Sequence, residues 1–211
     1  LIDDHRMVRE GLSALLTHEP DIEVAGQADD GRRGIALVQE KEPDVVVMDL
    51  MMPGLNGLEA TGYIQHDQPQ VQVVVLSMYS TQEHVYQALH AGASGFVAKD
   101  EASEELVTAI RTVSTGKVYL SPTICREDIQ DYIRRAQAGE ESDSFQTLTP
   151  REREVLQLIA EGYATREIAT VLNISPKTVE SHRSHLMHKL DIHTTAGLTR
   201  YAIGRGIIDL N

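Results

Sequence analysis

The side chains able to do chemistry in this chain stand at the ends of apolar runs. Asp3-Asp4 follows Leu1-Ile2, Asp49 closes Val45-Val46-Val47-Met48, Ser77 closes the run from Val71 to Leu76, and Lys99 closes Gly95-Phe96-Val97-Ala98. Three carboxylates brought together repel one another, and a divalent cation and a lysine relieve that repulsion. Mg²⁺ suits a site with few carboxylates, several waters and a phosphate oxygen. A carboxylate can also act as a nucleophile and carry a phosphoryl group as an acyl phosphate. Such a transfer needs mainly positioning and charge neutralisation. Taken singly, each residue has a plainer reading: an Asp after a strand caps or turns the chain, Asp3-Asp4 is a solvated end, and Lys99 is surface. The ordered combination, with polar groups at successive strand ends, is what points to a phosphoryl site.

The elements that must position these groups are legible as pattern. Val45 to Met48 is an unbroken apolar run, which suits a strand buried on both faces of a parallel sheet. Its valines and the Pro53-Gly54 pair beyond it favour a strand ending near Asp49. Ligands of open α/β sheets collect outside the carboxyl ends of the strands, where Asp49 falls. Leu1-Ile2-Asp3-Asp4 reads as the tail of a strand whose beginning is absent, and residues 21–28 read as another strand. Helices are expected over 6–18, 32–41, the stretch up to Asp67, a segment opened by the capping box Ser80-Thr81-Gln82-Glu83, and a segment opened by Ser103. Strands alternating with helices about five times predict an α/β fold, a doubly wound parallel five-stranded sheet.

Residues 1–120 resemble the receiver domain of two-component response regulators, and the resemblance implies the flavodoxin-like form of that sheet. It is carried by Asp3-Asp4, by Asp49 with Pro53 and Gly57 after it, by Ser77, and by Phe96-Val97-Ala98-Lys99. The resemblance implies that Asp49 is the phospho-acceptor. It implies that Asp4, Asp49 and the carbonyl of Met51 bind Mg²⁺ or Mn²⁺, with Asp3 assisting through water. Lys99 would contact the phosphoryl oxygens, and Ser77 and Phe96 would be paired switch residues. Met51 and Tyr79 flank the site, at positions that tune dephosphorylation in this family.

Charge separates the chain into parts. Net charge is −13 over 211 residues, which taken whole argues against nucleic-acid binding. Residues 1–120 hold 8 Lys+Arg against 19 Asp+Glu, residues 121–146 hold 3 against 6, and residues 147–211 hold 8 against 7. The last part is therefore near neutral and also carries four of the nine His, so the halves have different electrostatic tasks. The single Cys, Cys125, fits a reducing compartment. No apolar run approaches the roughly 18 residues a membrane span needs, and no signal segment opens the sequence. A cytoplasmic protein with no membrane partner is expected.

Residues 121–137 suit a connecting helix, and the polar stretch 139–144 reads as a flexible linker. A different grammar begins at Thr149-Pro150-Arg151-Glu152, a complete helix start with N-cap, Pro at the first position and Glu at the third. Thr165 opens a second helix, Ser175-Pro176 a third and Thr194 a fourth, with no strands between. Ile168 to Leu172, then Asn173-Ile174-Ser175, then Pro176 to Leu190 reads as helix-turn-helix. On the third helix Val179, Leu186 and Leu190 share one face and should pack inward, and His182 turns toward that side as a packing residue. Lys177, Glu180, Ser181, Ser184 and His188 share the other face. That face fits a major-groove helix whose N-terminal part reads base edges, with Lys177, Thr178, Arg183, His185 and Lys189 placed to hold phosphates. The plainer reading is a solvated face on an all-α protein-binding module.

Residues 147–211 resemble a LuxR-type helix-turn-helix through Leu148-Thr149-Pro150-Arg151-Glu152-Arg153-Glu154-Val155-Leu156, Glu167-Ile168-Ala169 and Lys177-Thr178-Val179-Glu180-Ser181-His182. The order receiver, linker, LuxR module is that of NarL/FixJ-type regulators. It implies three parts, with a receiver over 1–120, a partly helical linker over 121–146 and a small all-α DNA-binding domain over 147–211. It further implies a histidine kinase as phosphodonor, a homodimer, promoter DNA as target, and intrinsic metal-dependent autophosphorylation and dephosphorylation rather than enzymatic turnover. Glu180 departs from the lysine often found at its place, and a carboxylate there can accept from cytosine N4. Two rival readings fit these residues less well. An aspartyl phosphatase of the haloacid-dehalogenase type wants an Asp two residues after the nucleophile, where Met51 stands. A phosphate-independent dimerisation platform does not need the intact Asp4, Asp49, Ser77 and Lys99 set.

Overall fold

A computed structural model describes residues 1–124, 130 and 144–208. The chain divides into two compact units, Leu1–Arg135 and Ala136–Asn211. The expected connecting helix over 121–137 lies largely, and the linker over 139–144 almost wholly, outside the described residues.

In the first unit the apolar runs become parallel strands. β1 (Val45–Asp49), β2 (Gln72–Ser77), β3 (Gly95–Ala98) and the short β4 (Tyr119–Leu120) lie side by side in that order. Helices run between and around them: α1 (Arg6–Thr17), α2 (Gly31–Lys41), α3 (Gly57–Asp67), α4 (Gln82–His90) and α5 (Ala102–Val113). Successive residues of each strand point to opposite faces, and both faces are apolar. Val46, Met48, Val73, Val75 and Phe96 pack with Val38 of α2, Ala60 and Ile64 of α3 and Val85 and Ala88 of α4. Val47, Val74, Leu76 and Val97 pack with Leu12 and Leu16 of α1 and with Leu106, Ala109 and Val113 of α5. This double covering is why the strands read as continuous rather than alternating apolar runs.

Three expectations are corrected. Residues 21–28 form no regular strand: Ile2 bridges both Ala28 and Met48 in parallel, and backbone hydrogen bonds tie the opening segment to Gly26 and Ala28 on one side and to Val47 and Asp49 on the other. The sheet thus continues past β1 through Ile2 and then Ala28. The spatial order Ala28, Ile2, β1, β2, β3 is nonetheless the flavodoxin-like one, with β4 added beyond β3. The N-cap of α4 is Thr81 rather than Ser80, its side chain accepting from the His84 N–H. Ser103 lies inside α5, because a 3₁₀ turn over Lys99–Glu101 runs directly into that helix and takes the place of a side-chain cap.

The second unit is all helical in its described residues: α6 (Pro150–Ala160), α7 (Thr165–Val171), α8 (Pro176–Leu190) and α9 (Thr195–Gly204), after a 3₁₀ turn over Ser144–Thr147. Thr149 and Glu152 form the reciprocal capping box at α6, and Ser175 and Thr194 cap α8 and α9. Asn173 takes the left-handed conformation between α7 and α8, at φ 51°, a region that Asn tolerates. The core is built on Val155, Leu156, Leu158, Ile168, Val179, Leu186, Leu198 and Ala202.

Candidate functional site

Register carries the polar groups to one edge of the sheet. Ile2 lies opposite Met48, so Asp3 comes beside Asp49. Asp49 lies opposite Leu76 and Ser77 opposite Ala98, which puts Asp49, Ser77 and Lys99 at the carboxyl ends of β1, β2 and β3. The chain beyond β1 turns sharply back: a Cβ on Gly57 would sit 2.0 Å from the Asp49 carbonyl oxygen. Only glycine permits that approach, and it lets the Gly57 N–H donate to the Leu50 carbonyl at 2.8 Å.

Asp3 and Asp49 are both buried, each 2% exposed. The Lys99 ammonium bridges them, 2.7 Å from Asp49 Oδ2 and 2.9 Å from Asp3 Oδ2. The other Asp49 oxygen, Oδ1, accepts from the Met51 N–H at 3.3 Å. Burial pushes the Asp49 carboxyl up, Lys99 pulls it back, and Asp3 pushes it up again, leaving it at about 6. Burial pulls the Lys99 ammonium down, but the carboxylates of Asp49 and Asp3 outweigh that and hold it above the ordinary lysine range. Asp4 is half-buried at the mouth, with His5 Nδ1 2.9 Å from its Oδ1. Ser77 is buried and its Oγ accepts from the Tyr79 N–H at 3.0 Å. Phe96 is fully buried in the core beneath this edge.

Ligand atoms of Asp3, Asp4, His5 and Asp49 all lie within 4.8 Å of one another. The three carboxylates and one ammonium leave a formal charge of −2. Asp3 Oδ2 and Asp4 Oδ1 are sealed from solvent, so their charge is met by Lys99 and His5 rather than by water. Charge and donor type both fit a hard divalent cation. Position at strand ends singles out Asp3, Asp4, Asp49, Ser77 and Lys99, and the structure brings all five to this edge. It adds His5, whose signal was its position directly after the acidic pair.

The candidate nucleic-acid face is the outer side of α8. Lys177, Thr178, Glu180, Ser181, Ser184, His185 and His188 are exposed, Val179, Leu186 and Leu190 are buried, and His182 is half-buried. Besides Thr178, whose hydroxyl meets Ser175 Oγ at 2.8 Å, three of the expected contact residues hold partners distant in the chain. Glu180 Oε1 accepts from the Thr165 hydroxyl of α7 at 2.7 Å. Arg183 donates to Thr195 Oγ1 at 3.0 Å. Lys189 donates to Glu152 Oε2 at 2.7 Å and to the Thr147 carbonyl at 2.8 Å, tying α8 to the start of α6. These contacts join residues 12 to 42 apart, and no local pattern foretells them.

A parallel sheet with an acidic, lysine-closed edge, joined to a helix-turn-helix unit, defines a receiver coupled to a DNA-binding output. The family model of the response regulator receiver domain matches residues 1–111, and that of bacterial regulatory proteins of the luxR family matches residues 146–202. The chain belongs to the two-component response regulators of the NarL/FixJ type, and its function is the regulation of transcription. It is 37% identical to the oxygen regulatory protein NreC of Staphylococcus carnosus over 99% of this chain and 98% of that protein. It is 41% identical to the transcriptional regulatory protein MctR of Rhizobium johnstonii, over 99% and 94%. Among solved structures it is similar to RcsB of Salmonella enterica serovar Typhimurium bound to promoter rprA in the presence of the phosphomimetic BeF3-. That similarity is 28% identity, a TM-score of 0.63 and 95% coverage of each chain. No helix among the described residues is long and apolar enough to cross a membrane.

Proposed function

We propose that the receiver spans residues 1–120 and the DNA-binding domain 147–211, with 121–146 between them, and that Asp49 accepts a phosphoryl group from a histidine kinase. The observation that carries this is the buried Asp49 carboxylate at the end of a central strand, with the Lys99 ammonium 2.7 Å from one of its oxygens. An Asp49 oxygen attacks the phosphorus of the phosphodonor, the bond to the leaving nitrogen breaks, and an acyl phosphate forms. Lys99 passes from the carboxylate to the phosphoryl oxygens and offsets their charge. Asp4, Asp49 and the Met51 carbonyl would hold Mg²⁺ or Mn²⁺, with Asp3 assisting through water. Once bound, that ion neutralises charge on the phosphoryl oxygens.

The same chemistry permits autophosphorylation from a small phosphodonor and autodephosphorylation, so the protein spends its phosphoryl group as a signal rather than turning over a substrate. Ser77 leaves the Tyr79 N–H to donate to a phosphoryl oxygen. Phe96 follows into the space released, and the surface around α4, β3 and α5 is rebuilt. That surface forms a homodimer, and a two-fold dimer presents two α8 helices about one DNA turn apart to promoter DNA in the cytoplasm. On α8, Lys177, Thr178, Arg183 and His185 hold phosphates while Glu180, Ser181 and Ser184 meet base edges. Lys189 reaches a phosphate only by leaving Glu152. The RcsB relative bound to its promoter with a phosphomimetic supports this coupling.

The test is a phosphate-affinity gel of the full chain with acetyl phosphate and Mg²⁺, wild type beside Asp49→Ala. A Mg²⁺-dependent retarded band present only in the wild type is expected, together with a shift toward dimer on gel filtration. A band that persists in Asp49→Ala would refute the assignment.

A further inference from the structure

His5 occupies the N-cap position of α1, where Ser, Thr, Asp or Asn would ordinarily accept from the first turn. Its side chain makes no such bond. Instead the imidazole turns toward the carboxylates, with Nδ1 2.9 Å from Asp4 Oδ1 and 3.6 Å from Asp3 Oδ1. The backbone holds it there: the His5 N–H donates to Asp3 Oδ1 at 2.8 Å, and its carbonyl accepts from the Arg9 N–H at 3.0 Å. Its ring nitrogen thus belongs to the same group of ligand atoms as Asp3, Asp4 and Asp49, all within 4.8 Å of one another.

We infer that His5 is a nitrogen ligand of the cation held at this edge, so that the site prefers a transition-series divalent ion to Mg²⁺. The inference rests on the cation reading above and adds a ligand to it. Octahedral ligands around an ion at about 2.1 Å stand about 3–4.2 Å apart, so Asp4, Asp49 and His5 need to close by at most roughly half an ångström, with Asp3 reached through water. The imidazole is two-thirds exposed, which leaves it free to turn and leaves open positions around the ion for water and a phosphoryl oxygen. With Nε2 carrying the proton, Nδ1 presents its lone pair to the ion. Mg²⁺ takes oxygen ligands almost alone, whereas ions of the Mn²⁺ to Zn²⁺ series accept imidazole as well as carboxylate. A nitrogen ligand therefore adds affinity for the second group and nothing for the first.

The test uses the full chain stripped of metal, as wild type, His5→Gln and Asp49→Ala. Mn²⁺ affinity is read from the EPR signal of the free ion, Mg²⁺ affinity by competition, and the ligand set by pulsed EPR. The expected result is a ¹⁴N coupling of directly bound imidazole in the wild type that vanishes in His5→Gln. Alongside it, the Mn²⁺ dissociation constant should rise about tenfold, the lower end of what loss of a group around a metal costs, with Mg²⁺ affinity nearly unchanged. Mn²⁺ binding that depends on Asp49 but shows no ¹⁴N coupling, or a His5→Gln variant that weakens both ions equally, overturns the inference and leaves the cation reading intact. Mn²⁺ binding unaffected by Asp49→Ala overturns both.

Discussion

Replacing Asp49 by Asn should stabilise the metal-free protein, although it removes the residue proposed to carry the signal. The Asp49 carboxyl rises from its ordinary 3.8 to about 6, through burial first, then Asp3, with Lys99 opposing. Each tenfold in proton affinity corresponds to about 1.4 kcal/mol, so ionised Asp49 costs the native sheet roughly 3 kcal/mol above pH 6. Because the native state holds its proton more tightly than the unfolded chain, wild-type stability falls as pH rises from about 4 to 6 on account of this group. Below about pH 4 the carboxyl is protonated in both states and the cost vanishes. Asn mimics the protonated form at every pH, and the attraction of Lys99 is already contained in the value of about 6. The assay is urea unfolding in EDTA at pH 4, 6 and 8, followed through hydrogen exchange of the β1 and β2 amides so that only the sheet unit is read. The gain in Asp49→Asn should be under about 1 kcal/mol at pH 4 and near 3 at pH 8. A loss at pH 8, or a gain of equal size at pH 4, would refute the electrostatic account of the site.

Three other outcomes follow from named contacts. Gly57→Ala places a methyl against the Asp49 carbonyl and should cost roughly 3 kcal/mol in urea unfolding of the first unit, displacing the end of β1. Lys189→Met strips the buried Glu152 of its ammonium at 2.7 Å and should cost about 2 kcal/mol of stability in the helical unit at pH 7. Lys189 and the Thr149 N–H hold the Glu152 carboxyl below its ordinary value against burial, so this pair stabilises above the unfolded carboxyl range and is lost as pH falls through the folded one. The deficit of Lys189→Met should therefore shrink in acid. Lys177→Ala leaves the core untouched and should weaken promoter binding about uniformly across sequences. Fluorescence anisotropy at several salt concentrations should show the salt slope falling by about one.

Chemical patterning determined much of this protein. Continuous apolar runs specify strands buried on both faces, because each strand serves two helix layers at once. Asp49, Ser77 and Lys99 mark the strand ends because a charge or a hydroxyl ends such a run, and Thr149-Pro150 and Ser175-Pro176 mark helix starts because capping is local. What those patterns leave open depends on partners distant in the chain. Residues 21–28 carry strand-forming side chains, and what pairs with them is the distant opening segment, through Gly26 and Ala28. Tyr119–Leu120 is too short to announce itself and becomes β4 by pairing with Gly95 and Phe96. The apolar pattern places Asp3 and Lys99 at strand ends, but only the register of β1 against Ile2 sets both Asp3 and Asp49 on one ammonium. Lys189 reads as a free cation on α8 until the fold closes it onto Glu152. Sequence by itself thus determined which groups could do chemistry and on which elements they ride. Tertiary structure decided which of them meet, because the energy of a buried charge is set by its neighbours in space and not by those in sequence.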